Sequence, residues 1–235
     1  RLRSALLTSI SHDLRTPLAS ILGAASSLKT YGTTLDDAAK QELLGSVLEE
    51  AERLNRFIAN LLDMTRLESG AIAPRLELID LSDVVGSALH RAAKVLAQHE
   101  VKLSLPPDLP MLKLDPVLFE QALFNLLDNA AKYSPAGSHV AVAAELIGSH
   151  VRLSVSDSGA GIPPADVERV FDKFYRVQAS DHKRAGTGLG LAISRGFIES
   201  MGGTLFASNR ADGSGALFVI TLPVPETGAM GERAA

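Results

Sequence analysis

The sequence predicts an α+β protein in which a helical hairpin is followed by an α/β sandwich with helices on one face of a mixed sheet. Leucines and isoleucines recur at heptad spacing through roughly the first 68 residues. After Ser69-Gly70, helical and alternating strand patterns are interleaved, which is typical of a layered α/β arrangement. We therefore expect residues 1–70 and 71–223 to form two domains, with residues 224–235 as a disordered tail.

The first 68 residues read as two helices joined by a turn at residues 30–34. We expect the second helix to run from residue 35 to 68 with Thr34 as its N-cap. A lone hairpin leaves the apolar side chains at its heptad positions, which we call its seams, exposed to water. Burying each Leu or Ile stabilises the fold by about 1.5–3 kcal/mol. We therefore expect a homodimer with a four-helix bundle, the alternative being a hairpin packed on the rest of its own chain. The predicted seams are Leu7, Leu14, Ile21 and Leu28 in residues 2–29, then Leu44, Val47, Ala51, Leu54, Ile58 and Leu61.

The second domain should contain both strands and helices. Asp115-Pro116 predicts a helix start, because an Asp cap followed by Pro suits the first turn. Gly148-Ser149 separates two alternating runs and predicts a hairpin. Strands are expected at 75–79, 101–105, 111–114, 139–147, 150–156, 203–208 and 216–222, and helices at 82–98, 116–133, 164–170 and 188–201.

Composition narrows the functional class. The net charge of −4 argues against a general nucleic-acid surface, and the absence of Cys excludes disulfides and Cys-ligated zinc. No apolar run reaches the roughly 18–20 residues that a membrane-spanning helix needs. Because the chain opens with Arg1 rather than Met, we expect it to be a fragment of a longer protein. As a separate expectation, the rest of that protein holds an inner-membrane anchor and this portion is cytoplasmic.

His12 is the candidate nucleophile. At about 100° per residue it lies opposite the leucine stripe of its helix, so its ring should be exposed. A neutral imidazole nitrogen is nucleophilic, and Asp13 is placed to hydrogen-bond the other ring nitrogen. Thr16 lies one turn further on the same face. The alternative is an ordinary surface histidine, which is how we interpret the other five.

A polar helix face carries the candidate metal and phosphate ligands. Asn125 and Asn129 are four residues apart, so their carboxamides share a face and suit a hard cation such as Mg²⁺. Lys132 adds positive charge for phosphate, and Tyr133 offers a flat surface for a base. A solvated polar face with no ligand is the alternative.

Two glycine-rich segments follow. Asp157 ends a predicted strand, and Gly159 and Gly161 allow backbone to approach a ring closely. A carboxylate there can accept a hydrogen bond from an exocyclic amine, although a local Asp turn explains the same residues. The second segment opens a helix, where free N–H groups bind phosphate, yet it is neither a Walker loop nor a Rossmann fingerprint. It comprises Gly186, Thr187, Gly188, Leu189 and Gly190.

A polar stretch at residues 178–185 precedes the second glycine segment and is predicted to be a lid. Phe171 and Phe174 either anchor the base of that lid or simply pack in the core. Arg176 is placed to reach phosphate.

The order of these motifs resembles that of the sensor histidine kinases across residues 4–222. His12 with its neighbours resembles their H box and residues 125–134 their N box. The two glycine segments and the intervening Phe171–Phe174 resemble their glycine and F boxes. Residues 61–64 and 84–89 further resemble the branch of that family that responds to potassium and osmotic stress.

The resemblance implies a Bergerat-type (GHKL) ATP-binding domain, with ATP and Mg²⁺ as cofactors. His12 would accept the γ-phosphoryl group with Asp13 as base, and Thr16 would orient a water during dephosphorylation of the partner. Asn129 would hold Mg²⁺ with Asn125 beside it. Lys132 would contact phosphate, Tyr133 would lie near the base, and Asp157 would read the adenine amine. The phosphoryl group would then pass to an aspartate of a response regulator.

Two other functions remain open at this stage. One is a chaperone- or topoisomerase-like ATPase without histidine transfer, although those proteins place a carboxylate where Asn125 stands. The other is a dimeric scaffold, either non-catalytic or acting only as a phosphatase.

Overall fold

The computed structural model describes the backbone of residues 2–177 and 187–225, and their side chains except those of residues 2–10, 12 and 13. The chain divides into two compact units, Arg1–Thr65 and Arg66–Ala235. We call them the helical unit and the catalytic unit and describe each by itself. The division lies within the second long helix, ahead of the domain boundary expected after residue 70.

The helical unit contains α1 (Leu2–Tyr31) and most of α2 (Asp37–Glu68). The predicted Thr34 cap is wrong, because Thr34 Oγ1 donates to the Tyr31 carbonyl at 2.8 Å. Asp36 caps α2 instead, since its Oδ1 accepts from the Ala39 N–H at 2.7 Å. Asp36 lies one residue before the helix and reaches the free amide, whereas Thr34 lies three residues before the helix and does not.

Only part of the predicted seam of α2 is covered within one chain. Leu44 and Ile58 remain 50% and 45% exposed, while Phe57 and Met64 are buried although the heptad pattern left them out. Four apolar side chains at helical spacing on one face of α2 therefore stay open to solvent. We call this set the outer stripe, and it consists of Leu44, Leu48, Ile58 and Leu62.

The catalytic unit is built on a five-stranded sheet of order β2-β4-β5-β7-β6, in which only β2 and β4 are parallel. A separate antiparallel pair joins β1 to β3. Val142, Val155 and Phe218 are in register across the three middle strands and are all buried. The strands are β1 (Glu77–Ile79), β2 (Glu100–Ser104), β3 (Leu112–Leu114), β4 (His139–Ile147), β5 (His150–Ser156), β6 (Thr204–Asn209) and β7 (Ala216–Pro223).

Three helices, α3 (Leu81–Ala92), α4 (Pro116–Tyr133) and α5 (Gly190–Ser200), complete this unit. Asp80 caps α3, since the Ser82 amide donates to its Oδ1 at 2.8 Å. Hydrogen bonds from the Ser82 hydroxyl and amide lower the pKa of Asp80 below its ordinary value. The helix expected at 164–170 is two short 3₁₀ turns, Pro164–Asp166 and Arg169–Phe171.

α4 is the central helix and packs against both α3 and α5. Asp115 accepts from the first two free amides of α4, those of Val117 and Leu118, as the Asp-Pro pair predicted. The apolar side of α4 is fully buried and forms the core beneath the candidate site, through Phe119, Leu123, Leu126 and Leu127.

Candidate functional site

α4 links the two glycine-rich segments. Asn125, in its middle, contacts the first residue of α5, Gly190. At its end, the Tyr133 carbonyl lies so near Gly159 that a Cβ there would come within 2.5 Å of it. The two contacts are about 12 Å apart along the helix. α4 thus spaces the first glycine segment from the second by a fixed length.

Asn125 faces α5 and is held on both sides of its carboxamide. Its Nδ2 donates to the Gly190 carbonyl at 3.2 Å and to Ser194 Oγ at 3.3 Å. Its Oδ1 accepts from Gln121 Nε2 at 3.3 Å. The two asparagines expected to act as a pair therefore differ, because the polar atoms of Asn125 are engaged by protein groups.

Asn129 and Lys132 continue the same polar face. Asn129 is half-buried, and its side-chain carboxamide has no hydrogen-bond partner among the residues that the structure describes. Lys132 Nζ pairs with Asp128 Oδ2 at 2.5 Å, one turn earlier on the same helix. Asp128 offsets part of the lysine charge and holds the ammonium group beside this face.

Asp157 is a buried carboxylate, 3% exposed, at the end of β5. Its Oδ1 accepts from the Gly159 amide at 2.8 Å and from the Ala216 amide at 3.1 Å. No described residue bonds Oδ2. Among the described residues, His99 Nδ1 is the only side-chain polar atom that is both buried and without a hydrogen-bond partner. Asp157 Oδ2 also has no described partner, so it must be accessible to solvent. Asp157 therefore keeps one acceptor for a ligand amine.

The first glycine segment is clamped by a residue that sequence reasoning missed. Asn209 Oδ1 accepts from the Ile162 amide and Asn209 Nδ2 donates to the Ile162 carbonyl, both at 2.7 Å. Gly161 has φ of 76°, and a Cβ there would lie 2.7 Å from Asn209 Oδ1. Gly161 thus combines a left-handed backbone with a close contact, which only glycine meets without strain.

The second glycine segment leads directly into α5. Gly188 has φ of 67° and lies against the backbone of Phe174, whose amide donates to the Gly188 carbonyl at 2.9 Å. Among the residues that the structure describes, no side chain caps α5, so its first amides suit an anion. Thr187 Oγ1 accepts a hydrogen bond from the Leu189 amide, and Leu189 itself is fully buried. Gly186 and the predicted lid at 178–185 lie outside the described residues.

Phe171 is packed in the core, which is the second of the two interpretations given for it above. It is 6% exposed and makes an edge-to-face contact with Phe218 at 6.4 Å, while the Arg195 guanidinium covers its ring at 3.5 Å. Tyr175 follows, and its hydroxyl donates to Asp166, which raises the pKa of Tyr175 because the bond requires the neutral phenol. Arg176 is half-buried beside it.

The candidate phosphoacceptor lies on α1 of the helical unit. The backbone of residue 12 is helical, but the side chains of His12 and Asp13 lie outside the described set. Thr16 is exposed one turn later. The predicted exposure of the His12 ring therefore stays a prediction.

Asn209, Gly215 and Ser194 complete the site but were not predicted. A Cβ at Gly215 would lie 2.0 Å from the Asp157 carbonyl, so this glycine is required for β7 to approach Asp157. Asn209 and Ser194 act through partners 47 and 69 residues away in sequence. The one local feature that could have indicated any of these three residues is Ser194, a polar side chain within the otherwise apolar face of α5.

A divalent cation such as Mg²⁺ is compatible with the oxygen ligand that Asn129 offers on the polar face of α4. Mg²⁺ keeps several waters and binds phosphate oxygens with few protein ligands, so it does not need an acidic cluster. The described residues contain no group of three or more His, Asp or Glu side chains suited to a metal. The Asn129 carboxamide, which has no other described partner, is the protein ligand that would hold it.

Comparison with known proteins accounts for most of the chain. Residues 2–70 match the family described as His Kinase A (phospho-acceptor) domain. Residues 114–226 match the family described as Histidine kinase-, DNA gyrase B-, and HSP90-like ATPase. No helix among the described residues is long and apolar enough to cross a membrane.

Among curated relatives, Sensor protein KdpD of Clostridium acetobutylicum is 41% identical over 95% of this chain, and that of Escherichia coli is 39% identical over 95%. This chain spans only about a quarter of each, 25% and 24% respectively.

Solved structures agree with these relatives. The Acinetobacter baumannii histidine kinase AdeS matches 91% of this chain and 98% of its own, with a TM-score of 0.71 and 28% identity. The mycobacterial sensor histidine kinase MprB matches 63% of this chain and 97% of its own, with a TM-score of 0.56 and 32% identity. The family resemblance and the fold class predicted from the sequence are confirmed.

Proposed function

Because this chain belongs to the sensor histidine kinase family, we propose that it transfers the γ-phosphoryl group of ATP to His12 and then to an aspartate of a response regulator. The observation that carries the proposal is Asp157, whose buried carboxylate keeps Oδ2 open beside the first glycine segment. A hydrogen-bond acceptor in such a cleft suits the exocyclic amine of adenine. The same chain supplies His12 on a separate helix.

Each part of the nucleotide meets a different element. Asp157 and the clamped first glycine segment receive the adenine, with Tyr133 near the ring. Asn129, Lys132 and the free amides at the start of α5 receive the phosphates. Bound Mg²⁺ would neutralise phosphate charge, which is the main requirement of phosphoryl transfer apart from positioning. Arg176 and the second glycine segment lie at the phosphate end.

The transfer itself exchanges one phosphorus bond for another. One ring nitrogen of His12 forms a bond to the γ-phosphorus as the bond from that phosphorus to the ADP oxygen breaks, and ADP leaves with the electron pair. The other ring nitrogen keeps its proton, and Asp13 accepts a hydrogen bond from it and supports the positive charge that develops. In the second step the phosphoryl group passes to an aspartate carboxylate of the regulator.

The remaining roles follow from the family. Thr16 would orient a water that hydrolyses the regulator's phosphoaspartate. The outer stripe of α2 would be covered in a homodimer, because four exposed apolar side chains on one helix are costly to leave wet. The KdpD relatives favour potassium or osmotic stress as the stimulus. We also propose that the natural protein is anchored in the inner membrane and exposes this portion to the cytoplasm.

The test is incubation of the chain with γ-labelled ATP and Mg²⁺. We expect labelled protein whose label is lost in acid and retained in alkali, as for phosphohistidine. His12→Ala should remove the label while leaving ATP affinity unchanged. His90→Ala, which removes another exposed histidine, is the matched control and should label normally.

The other outcomes separate the remaining functions. Release of free phosphate without labelled protein would indicate an ATPase, and no nucleotide binding at all would indicate a scaffold. Labelling that persists in His12→Ala would reject the assigned phosphoacceptor. Thr16→Ala should label normally but dephosphorylate a phosphorylated receiver protein more slowly, and an unchanged rate would reject the role of Thr16.

A further inference from the structure

Ser194 is a buried hydroxyl that no step of the proposed reaction uses. It lies on α5 four residues after Gly190, is 0% exposed, and has the buried apolar neighbours Ile193 and Phe197. A buried hydroxyl is costly unless it is hydrogen-bonded. Here Oγ lies 2.9 Å from the Gly190 carbonyl, 3.2 Å from the Ala122 carbonyl and 3.3 Å from Asn125 Nδ2.

These contacts tie α5 to α4 at the first turn of α5. The hydroxyl has one proton, so it donates to one carbonyl at a time, and the 2.9 Å contact to Gly190 is the shorter. Its lone pairs accept from Asn125 Nδ2. The Ala122 carbonyl belongs to α4, as does Asn125, so one side chain contacts both helices.

The orientation of Asn125 follows from the same contacts. The Gly190 carbonyl can only accept, so the carboxamide group that faces it must be the NH₂ end. The carboxamide oxygen then points along α4 to Gln121 Nε2. Gln121, Asn125 and Ser194 therefore form one chain of hydrogen bonds that ends at the residue where α5 begins.

We propose that Ser194 is a positioning residue for the phosphate end of the nucleotide site. With Asn125 as a strut, it fixes the first turn of α5, whose free amides receive phosphate, at a set distance from Asn129 on α4. This inference rests on the proposed function, because it requires that phosphates bind there. It also gives Asn125 a structural role in place of a metal ligand.

The distinguishing measurement compares ligands with and without phosphates. Ser194→Ala in the full chain should weaken ATP and ADP binding by about 10-fold, the effect expected from losing a buried hydrogen bond. Adenosine, which reaches only Asp157 and the first glycine segment, should bind unchanged. Affinities are measured by calorimetry for ATP and ADP and by NMR titration for adenosine, with Mg²⁺ present throughout.

Ser200→Ala is the matched control. Ser200 is on the same helix, and its Oγ also donates to a preceding carbonyl, that of Phe197, at 2.7 Å. It lies at the opposite end of α5, so all three ligands should keep their wild-type affinities. Ser194→Cys retains the volume with a weaker donor and should give intermediate values, which provides a second variant if the alanine variant does not fold.

Each result has one interpretation. Equal losses for adenosine and ATP would show a general packing effect and would overturn the proposal, as would an unchanged ATP affinity. Wild-type chain that binds no nucleotide would contradict the proposed function itself, which is a different failure. Thermal unfolding without nucleotide confirms that each variant is folded before its affinity is interpreted.

Discussion

The helical unit and the catalytic unit place their functional groups differently. In the helical unit, Thr16 and the outer stripe lie at the surface, with Leu48 60% exposed. In the catalytic unit, Asp157 and Ser194 are 3% and 0% exposed and hold several backbone groups. Exposed apolar side chains aligned on one face of a long helix favour a second copy that covers them, whereas polar groups that are buried and satisfied within one unit need no partner.

The largest effect should come from charging the outer stripe. Leu48→Glu combined with Ile58→Glu would place four charges per dimer where apolar side chains should be buried. At about 1.5–3 kcal/mol for each side chain, we expect association to weaken by more than about 1,000-fold. Sedimentation should then show monomers where the wild type shows dimers.

The matched control makes equal changes in the catalytic unit. Leu78→Glu with Val117→Glu alters two side chains that are 63% and 73% exposed, as open as those of the outer stripe. The dimer should persist in this variant. If it dissociated, or if the stripe variant remained dimeric, the contrast between the units would be wrong.

The next effect concerns the buried carboxylate. In Asp157→Asn an oxygen can still accept from the Gly159 and Ala216 amides, but the open acceptor becomes a donor that faces the adenine amine. We expect ATP affinity to fall by about 100-fold with little change in stability. Calorimetry measures the affinity, and Asp108→Asn, an exposed carboxylate, controls for the loss of charge. A loss of less than threefold would reject the role of Asp157 in base recognition.

A smaller effect is expected at the clamp on Ile162. Asn209→Ala removes two hydrogen bonds of 2.7 Å and should lower the free energy of unfolding of the catalytic unit by about 2 kcal/mol. Chemical denaturation followed by circular dichroism measures this change. The neighbouring exposed Ser208 offers the control Ser208→Ala, which should be near neutral. Equal stabilities of the two variants would mean that the clamp is dispensable.

The smallest effect lies in the turn before β7. Hydrogen bonds from Arg210 and from the Ser214 amide and hydroxyl lower the pKa of Asp212 from 3.8 to about 2. A depressed pKa stabilises the fold above the unfolded value, and the contribution is lost as pH falls through about 2. An NMR titration of the carboxyl carbon should show that midpoint. In Arg210→Ala the midpoint should rise toward 3.8, and an unmoved midpoint would contradict the assigned cause.

Local signals predicted the elements well wherever the chain marks its own boundaries. Asp115-Pro116 predicted the start of α4 because cap and first turn are adjacent in sequence. The hairpin of β4 and β5 matched because alternating residues flank Gly148. The cap of α2 was misplaced because Thr34 and Asp36 both suit a cap and lie two positions apart, and only backbone geometry selects Asp36.

The candidate site was predicted in composition but not in its connections. The boxes contained Asn125 and Asp157, yet the partners that orient them, Ser194 and Ala216, lie 69 and 59 residues further along the chain. Periodicity and spacing carry no information about such distant pairs. The Asn125 carboxamide therefore looked equivalent to that of Asn129 until the position of α5 was known.

The strand order also affects how the protein is made. β7 lies between β5 and β6, and its first residue, Ala216, exchanges hydrogen bonds with Asp157 through backbone and side chain. Strands are synthesised in the order of the sequence, so a growing chain on the ribosome has β5 as an open edge until β7 emerges. A nascent chain that stops before Ala216 thus lacks the amide that orients Asp157. If Asp157 reads adenine as proposed, ATP binding is expected only after Ala216 has been added.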